Sequence, residues 1–97
     1  MATRTNILAV GTGDATSADQ SVDSGSQLTL QLIGPNSGSI PSDATVTVEL
    51  KGSDGTYRSC HSLELSGTYE RSVQLQGPLA AFRVHRVAGN CGVDVVA

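Results

Sequence analysis

The sequence predicts an all-β, single-domain antiparallel β-sandwich of seven or eight strands, and three observations carry that expectation. Apolar and polar residues alternate with a period of two through Gln27–Leu32, Ala44–Leu50 and Cys91–Val95. This is the pattern of strands with one face in a core and the other in solvent. Turn-forming residues recur about every 8–12 positions, the spacing of a sandwich or barrel. No stretch carries the 3.6-residue period of an amphipathic helix. The chain has 97 residues, which is one domain, residues 1–97, with 1–10 as a possible N-terminal arm. A chain of this size buries roughly 60–65% of its unfolded surface, so its stability is modest.

Element by element, Thr5–Val10 reads as a first strand or an extended arm, and Gly11-Thr12-Gly13-Asp14 as a turn. Ser17–Asp23 alternates weakly, through Ala18 and Val22, and suits an edge strand. Asp23-Ser24-Gly25-Ser26 turns the chain into the strand Gln27–Ile33. Gly34–Asp43 is the longest stretch of breakers, a loop of the kind that often carries function. Ala44–Lys51 is a strand, and Gly52-Ser53-Asp54-Gly55 a compact hairpin turn signalled by Asp-Gly. Thr56–Leu65 returns, Ser66-Gly67 turns, and Thr68–Leu75 runs to the break at Gly77-Pro78. Leu79–Val87 sets Phe82 and Val84 on one side and Arg83 and His85 on the other. Ala88-Gly89-Asn90 then leads to the last strand, Cys91–Val96. The predicted core is Leu28, Leu30, Leu32, Val46, Val48, Leu50, Leu63, Leu65, Val73, Leu75, Phe82, Val84, Val93 and Val95.

Composition narrows function by class. Charged residues are 15% of the chain, against about 25% in ordinary soluble domains, and Ser, Thr and Gly take their place. The net charge is −3, and neither half of the chain is polybasic, so nucleic acid is not an expected ligand. Arginine outnumbers lysine five to one; Arg is the cation favoured at protein interfaces, and a GC-rich genome would produce the same bias. The apolar run Ile7–Val10 is too short for a signal-peptide core, and nothing approaches a membrane span. The expected place of synthesis and folding is a cytoplasm.

Reactive constellations are expected to be absent. Cys60 and Cys91 are the only cysteines; they suit two free thiols, or a disulfide closing a loop of about 30 residues. With His61 and His85 they make the residue count of a zinc site, but in no standard spacing, and adjacent Cys60 and His61 point to opposite faces of a strand. Asp14, Asp19, Asp23 and Asp43 lack the spacing of a calcium loop and suit turns. No catalytic motif is present, so no enzymatic activity, cofactor or metal is expected. Tyr57, Tyr69 and Phe82 are too few for the aromatic platforms on which sugars and single strands stack. No small-molecule ligand is therefore expected.

One segment resembles a known family. Leu75-Gln76-Gly77-Pro78-Leu79-Ala80-Ala81-Phe82-Arg83-Val84-His85-Arg86-Val87-Ala88-Gly89, closed by Val93-Asp94-Val95-Val96, resembles the ending of small β-sandwich virion proteins of tailed bacteriophages. In those proteins a G-P-x-A-x-F-R-V strand leads by a short turn to a V-x-V terminal strand. The similarity spans residues 44–97; the cysteine pair and the ten-residue Gly/Pro loop depart from the pattern. The resemblance implies a capsid decoration or cement protein that binds the major capsid protein and copies of itself. It also implies a place on the virion and no contact with membrane. A tail or head–tail connector component, or a carbohydrate-binding module, would share the same features. The candidate contacts are Ile7, Leu8 and Val10 of the N-terminal segment, Pro35, Asn36 and Ile40 of the long loop, and the side chains Arg71, Arg83 and His85. Edge strands pair with neighbours, and Arg forks meet carboxylates.

Overall fold

The structure, a computed structural model, describes residues 3–35, 40–68 and 71–97. Nine strands form among them: β1 (Arg4–Gly11), β2 (Ala15–Thr16), β3 (Gln20–Val22), β4 (Gln27–Ile33), β5 (Thr45–Lys51), β6 (Tyr57–Ser66), β7 (Ser72–Gln76), β8 (Leu79–Ala88) and β9 (Cys91–Val96). The chain is an all-β sandwich of antiparallel sheets, with no helix among the described residues. The first sheet has the order β1-β9-β4-β7; the second has β2-β8-β5-β6, with β3 also paired to β8. The expected seven or eight strands become nine because Ala15–Thr16, between the first turn and the weak Ser17–Asp23 segment, adds a two-residue strand on the β8 edge beside the short β3.

Alternation places the core. Leu28, Leu30 and Leu32 of β4 and Val93 and Val95 of β9 point inward from the first sheet. Val46 and Val48 of β5 and Phe82 and Val84 of β8 meet them from the second, all four fully buried. Each such aliphatic side chain contributes roughly 1.5–3 kcal/mol on burial. Three predicted core residues, Leu50, Leu63 and Val73, are only partly buried against this cluster. Leu8, Val22, Ala44 and Cys91 join it.

The hairpin β8–β9 is divided between the layers: β8 is internal to the second sheet and β9 to the first. Its turn needs Gly89, whose φ of +85° is strained for other residues and whose missing Cβ admits the Ala44 backbone. The segment expected as a strand or an arm is a strand of the domain's own sheet. β1 lies along β9, from Arg4 opposite Val96 to Gly11 opposite Cys91, with two register shifts that bulge the edge. The pairing continues beyond the strands, where Thr3 N donates to Ala97 O at 2.6 Å and Ala97 N to Thr3 O at 2.9 Å. Cys60 is half-buried and Cys91 buried, and no disulfide joins them.

Candidate functional site

β8 alternates Phe82, Val84 and Arg86 inward with Arg83 and His85 outward. Neighbouring strands bring partners to the outward pair. Register sets Glu49 opposite Arg83 and Thr47 opposite His85 on β5, and Thr16 opposite His85 on β2. Across the other side of β5, Lys51 stands opposite Tyr57 of β6.

The side chains close a network on this face. Arg83 Nε donates to Glu49 Oε1 at 2.7 Å, and the other carboxylate oxygen lies 3.5 Å from His85 Nδ1. On its far side His85 Nε2 contacts Asp14 Oδ1 at 2.7 Å. The Arg83 guanidinium also lies over the Tyr57 ring, 3.8 Å from its centroid, and Lys51 Nζ approaches the same ring at 5.7 Å. Tyr57 donates its hydroxyl proton to Asp19. That bond, followed by desolvation and the nearby Asp19 charge, pushes the phenol above its ordinary value, because ionisation would set a phenolate against a carboxylate. Glu49 is 16% exposed and Arg83 31%, so their ion pair is screened less than a surface pair would be.

Behind the face lies a cation that sequence reading did not single out. Arg86 is 6% exposed, yet none of its hydrogen bonds goes to a carboxylate. It donates instead to four backbone carbonyls: Nε to Gly13 at 2.8 Å, Nη1 to Ala9 at 2.9 Å and to Cys91 at 2.8 Å, and Nη2 to Thr12 at 3.2 Å. Carbonyl dipoles from three segments replace the water that a buried guanidinium loses. The consequence is local. Thr12 and Gly13 immediately precede Asp14, so Arg86 fixes the turn that delivers Asp14 to His85.

The sequence-predicted contact residues do not converge. Arg83 and His85 share the network. Leu8 is 7% exposed and belongs to the core, so it is corrected from a contact candidate to a packing residue; Ile7 and Ile40 are partly buried and pack against the same cluster. Ile7 and Leu8 are adjacent, and a register shift between Asn6 and Leu8 breaks the alternation there, so both side chains reach the core. Val10 is 37% exposed and stays available. Pro35 is half-buried. Asn36 lies outside the described residues, as do Tyr69 and the side chain of His61. Arg71 is exposed, and its Nε donates to Gly67 O at 3.0 Å.

Sequence reasoning missed Glu49, Lys51, Tyr57, Asp14 and Asp19 as members of the face. The alternation of β5 marks Glu49 and Lys51 as outward, but only register shows what they meet. Among the described residues no group of three His, Cys, Asp or Glu side chains is disposed to hold a metal ion. Chemically, the arrangement presents both signs of charge and one aromatic ring, prepositioned on three hydrogen-bonded strands. No protein-family model matches the chain, and no curated protein matches it in sequence.

Proposed function

We propose that the chain is a non-enzymatic structural protein of a virion, which binds the capsid surface in many copies and stabilises the shell. The observation that carries this reading is the Arg83–Glu49–His85 face with Tyr57 beneath the guanidinium. Arg and Tyr are the residues that most often anchor protein interfaces, and a preformed network costs little ordering on docking. The face also stands on β8, the strand through which the chain resembles phage virion proteins. A shell protein needs no chemistry of its own. It needs a rigid body, and here one sandwich carries a weakly charged surface and a β1 edge blunted by two register shifts. Those shifts favour contact through faces over strand exchange with neighbours.

Quantitative mass spectrometry of particles purified from the source of the chain tests the proposal. Copies comparable to the major capsid protein are expected. A handful per particle would move the protein to the tail or connector, and absence from particles would end the virion reading. Arg83→Ala in the same particles is expected to lower occupancy.

A further inference from the structure

The two outer faces of the sandwich differ in chemistry. The second sheet presents the ion network, whose groups already hold one another. The first sheet presents amides and hydroxyls. On β4 the outward residues are Gln27, Thr29 and Gln31; on β7 they are Ser72, Gln74 and Gln76. Register sets them directly opposite in pairs, Gln27 with Gln76, Thr29 with Gln74 and Gln31 with Ser72.

We propose that this face binds an uncharged polysaccharide. The first argument is hydrogen-bond capacity. Gln27, Gln74 and Gln76 are exposed, and none of these three amides makes a side-chain hydrogen bond within the described protein. Each amide offers two donors and an acceptor side by side, and each sugar hydroxyl is both donor and acceptor. Gln31 accepts from Arg4 Nη1 at 2.6 Å, which leaves its own donors available. The second argument is spacing. Neighbouring strands lie about 4.8 Å apart and same-face residues along a strand about 6.8 Å apart, so the amides form a grid on the scale of a pyranose ring.

The third argument is charge. No charged side chain stands among the six residues. Asp94, the acid nearest on β9, is 7% exposed and held by Arg4 at 3.1 Å and by Asn6 at 3.0 Å. Arg4 stands at the edge of the grid with its side chain half exposed, but it is already paired with Asp94 and bonded to Gln31. A polyanion would find no cation among the six residues themselves, and a neutral polyhydroxyl chain pays no charge-desolvation cost over them.

The fourth argument is shape. At the end of the grid a cleft of about 300 Å³ is lined by Gly25, Ser26, Gln27, Gln76 and Gly77. That volume is at the small end for ligand pockets and suits a single sugar unit. Its two glycines contribute no side chain to the lining. Gly25 has a φ of +81°, and Gly77 approaches the Asp23 carbonyl too closely to carry a Cβ. The cleft and the ladder of amides are therefore one continuous surface, with Gln27 and Gln76 belonging to both.

Without an aromatic platform each site is weak, in the millimolar range, and many copies on one particle would multiply it into useful avidity. The inference does not rest on the virion reading, because single-site binding is measured on the isolated chain.

The test is heteronuclear NMR of the nitrogen-labelled protein titrated with short neutral oligomers of glucose, mannose, galactose and N-acetylglucosamine. Uronic-acid and sialylated oligomers serve as charged counterparts. A neutral oligomer is expected to shift the side-chain amides of Gln27, Gln74 and Gln76. The double variant Gln27→Ala/Gln76→Ala should raise its dissociation constant about tenfold or more, while Arg58→Ala on β6 of the other sheet leaves it unchanged. Both positions of the double variant are exposed, and an unchanged amide spectrum elsewhere shows that the variant folds. Three outcomes would overturn the proposal: no neutral oligomer moving these amides, binding only of the acidic oligomers, or shifts confined to the Arg83 face. Shifts of the same amides with protein concentration alone would identify a second copy of the chain as the occupant and would overturn it equally.

Discussion

Arg83 and Tyr57 sit on strands that are not neighbours, β8 and β6, yet the guanidinium lies 3.8 Å from the ring centroid across the intervening β5. Glu49 of that middle strand holds Nε and so sets the guanidinium in place over the ring. The contact spans three strands of the second sheet. A double-mutant cycle of Arg83→Ala and Tyr57→Leu is expected to show a coupling of about 0.5–1 kcal/mol in urea unfolding followed by circular dichroism. Additive effects would mean that the stacked geometry carries no energy of its own.

Tyr57 should titrate late. Its hydrogen bond to Asp19 raises the phenol above its ordinary value of 10.0. A raised value stabilises the fold through the neutral form. That contribution is complete below the unfolded value and is lost as pH rises through the folded one. Ultraviolet absorbance in a Tyr69→Phe background is expected to place the Tyr57 transition above 10.0, and Asp19→Asn to bring it back down. An unchanged midpoint in Asp19→Asn would show that the bond is not made.

Replacing Arg86 should be costly for reasons unrelated to charge pairing. Arg86→Met fits the aliphatic volume but strands four carbonyls, each an acceptor that loses its donor. A loss of about 3 kcal/mol or more is expected in urea denaturation. Arg86→Lys keeps the charge without the fork and should recover only part of it. Because the same carbonyls shape the turn before Asp14, the NMR signals of Asp14 and His85 should shift in both variants.

Cys91 should resist alkylation while the protein is folded. Burial is the largest cause that pushes its thiol above the ordinary 9.0, with Arg86 opposing. The sign matches that of Tyr57: the contribution is present below the unfolded value and fades as pH climbs through the folded one. Iodoacetamide labelling read by intact mass is expected to reach Cys91 only at the rate of unfolding, and to accelerate with denaturant. Rapid native labelling would place the thiol at the surface.

Two glycines with similar backbone angles should respond differently to alanine. Gly55, at φ +83°, has open space where a Cβ would stand; Gly89, at φ +85°, has the Ala44 Cα 2.5 Å away. Gly55→Ala is expected to lose about 1–2 kcal/mol from backbone strain alone. Gly89→Ala must also displace the chain at Ala44 and should lose markedly more. Thermal unfolding of the two variants side by side checks the difference, and equal losses would mean the β8–β9 turn yields freely.

The legible and illegible parts of this fold separate on physical grounds. Strict alternation in β4 and β5 reads directly as inside and outside, and the core residues it marks there are buried except Leu50, which is partly covered. In β9 it marks Val93 and Val95 correctly, but the alternate residues Gly92 and Asp94 are buried as well, because β9 lies between β1 and β4. Leu63 lies where β6 carries extra residues between Cys60 and Leu65, opposite Val46 and Val48, so it is not held flat against the core. Val73 is on an edge strand. Leu8 was hidden because two register shifts break the period of β1, and Val22 because a three-residue strand has no period to read. Arg83 and His85 were visible as an outward pair. Their partners were not: Glu49 is 34 positions from Arg83 and Asp14 is 71 from His85, and no local pattern encodes which strands become neighbours.

The pairing of Thr3 with Ala97 has a mechanical meaning. The described chain enters and leaves the domain at one corner, on antiparallel neighbours. Tension applied across those two residues would load the β1–β9 ladder one hydrogen-bonded pair at a time, as a zip opens, instead of shearing all its bonds together. The sandwich is thus a poor link in series between two pulling points. It would carry force well when pressed or held through its broad faces, where the load spreads over the whole sheet. Any partner that uses this domain to resist strain should grip it there.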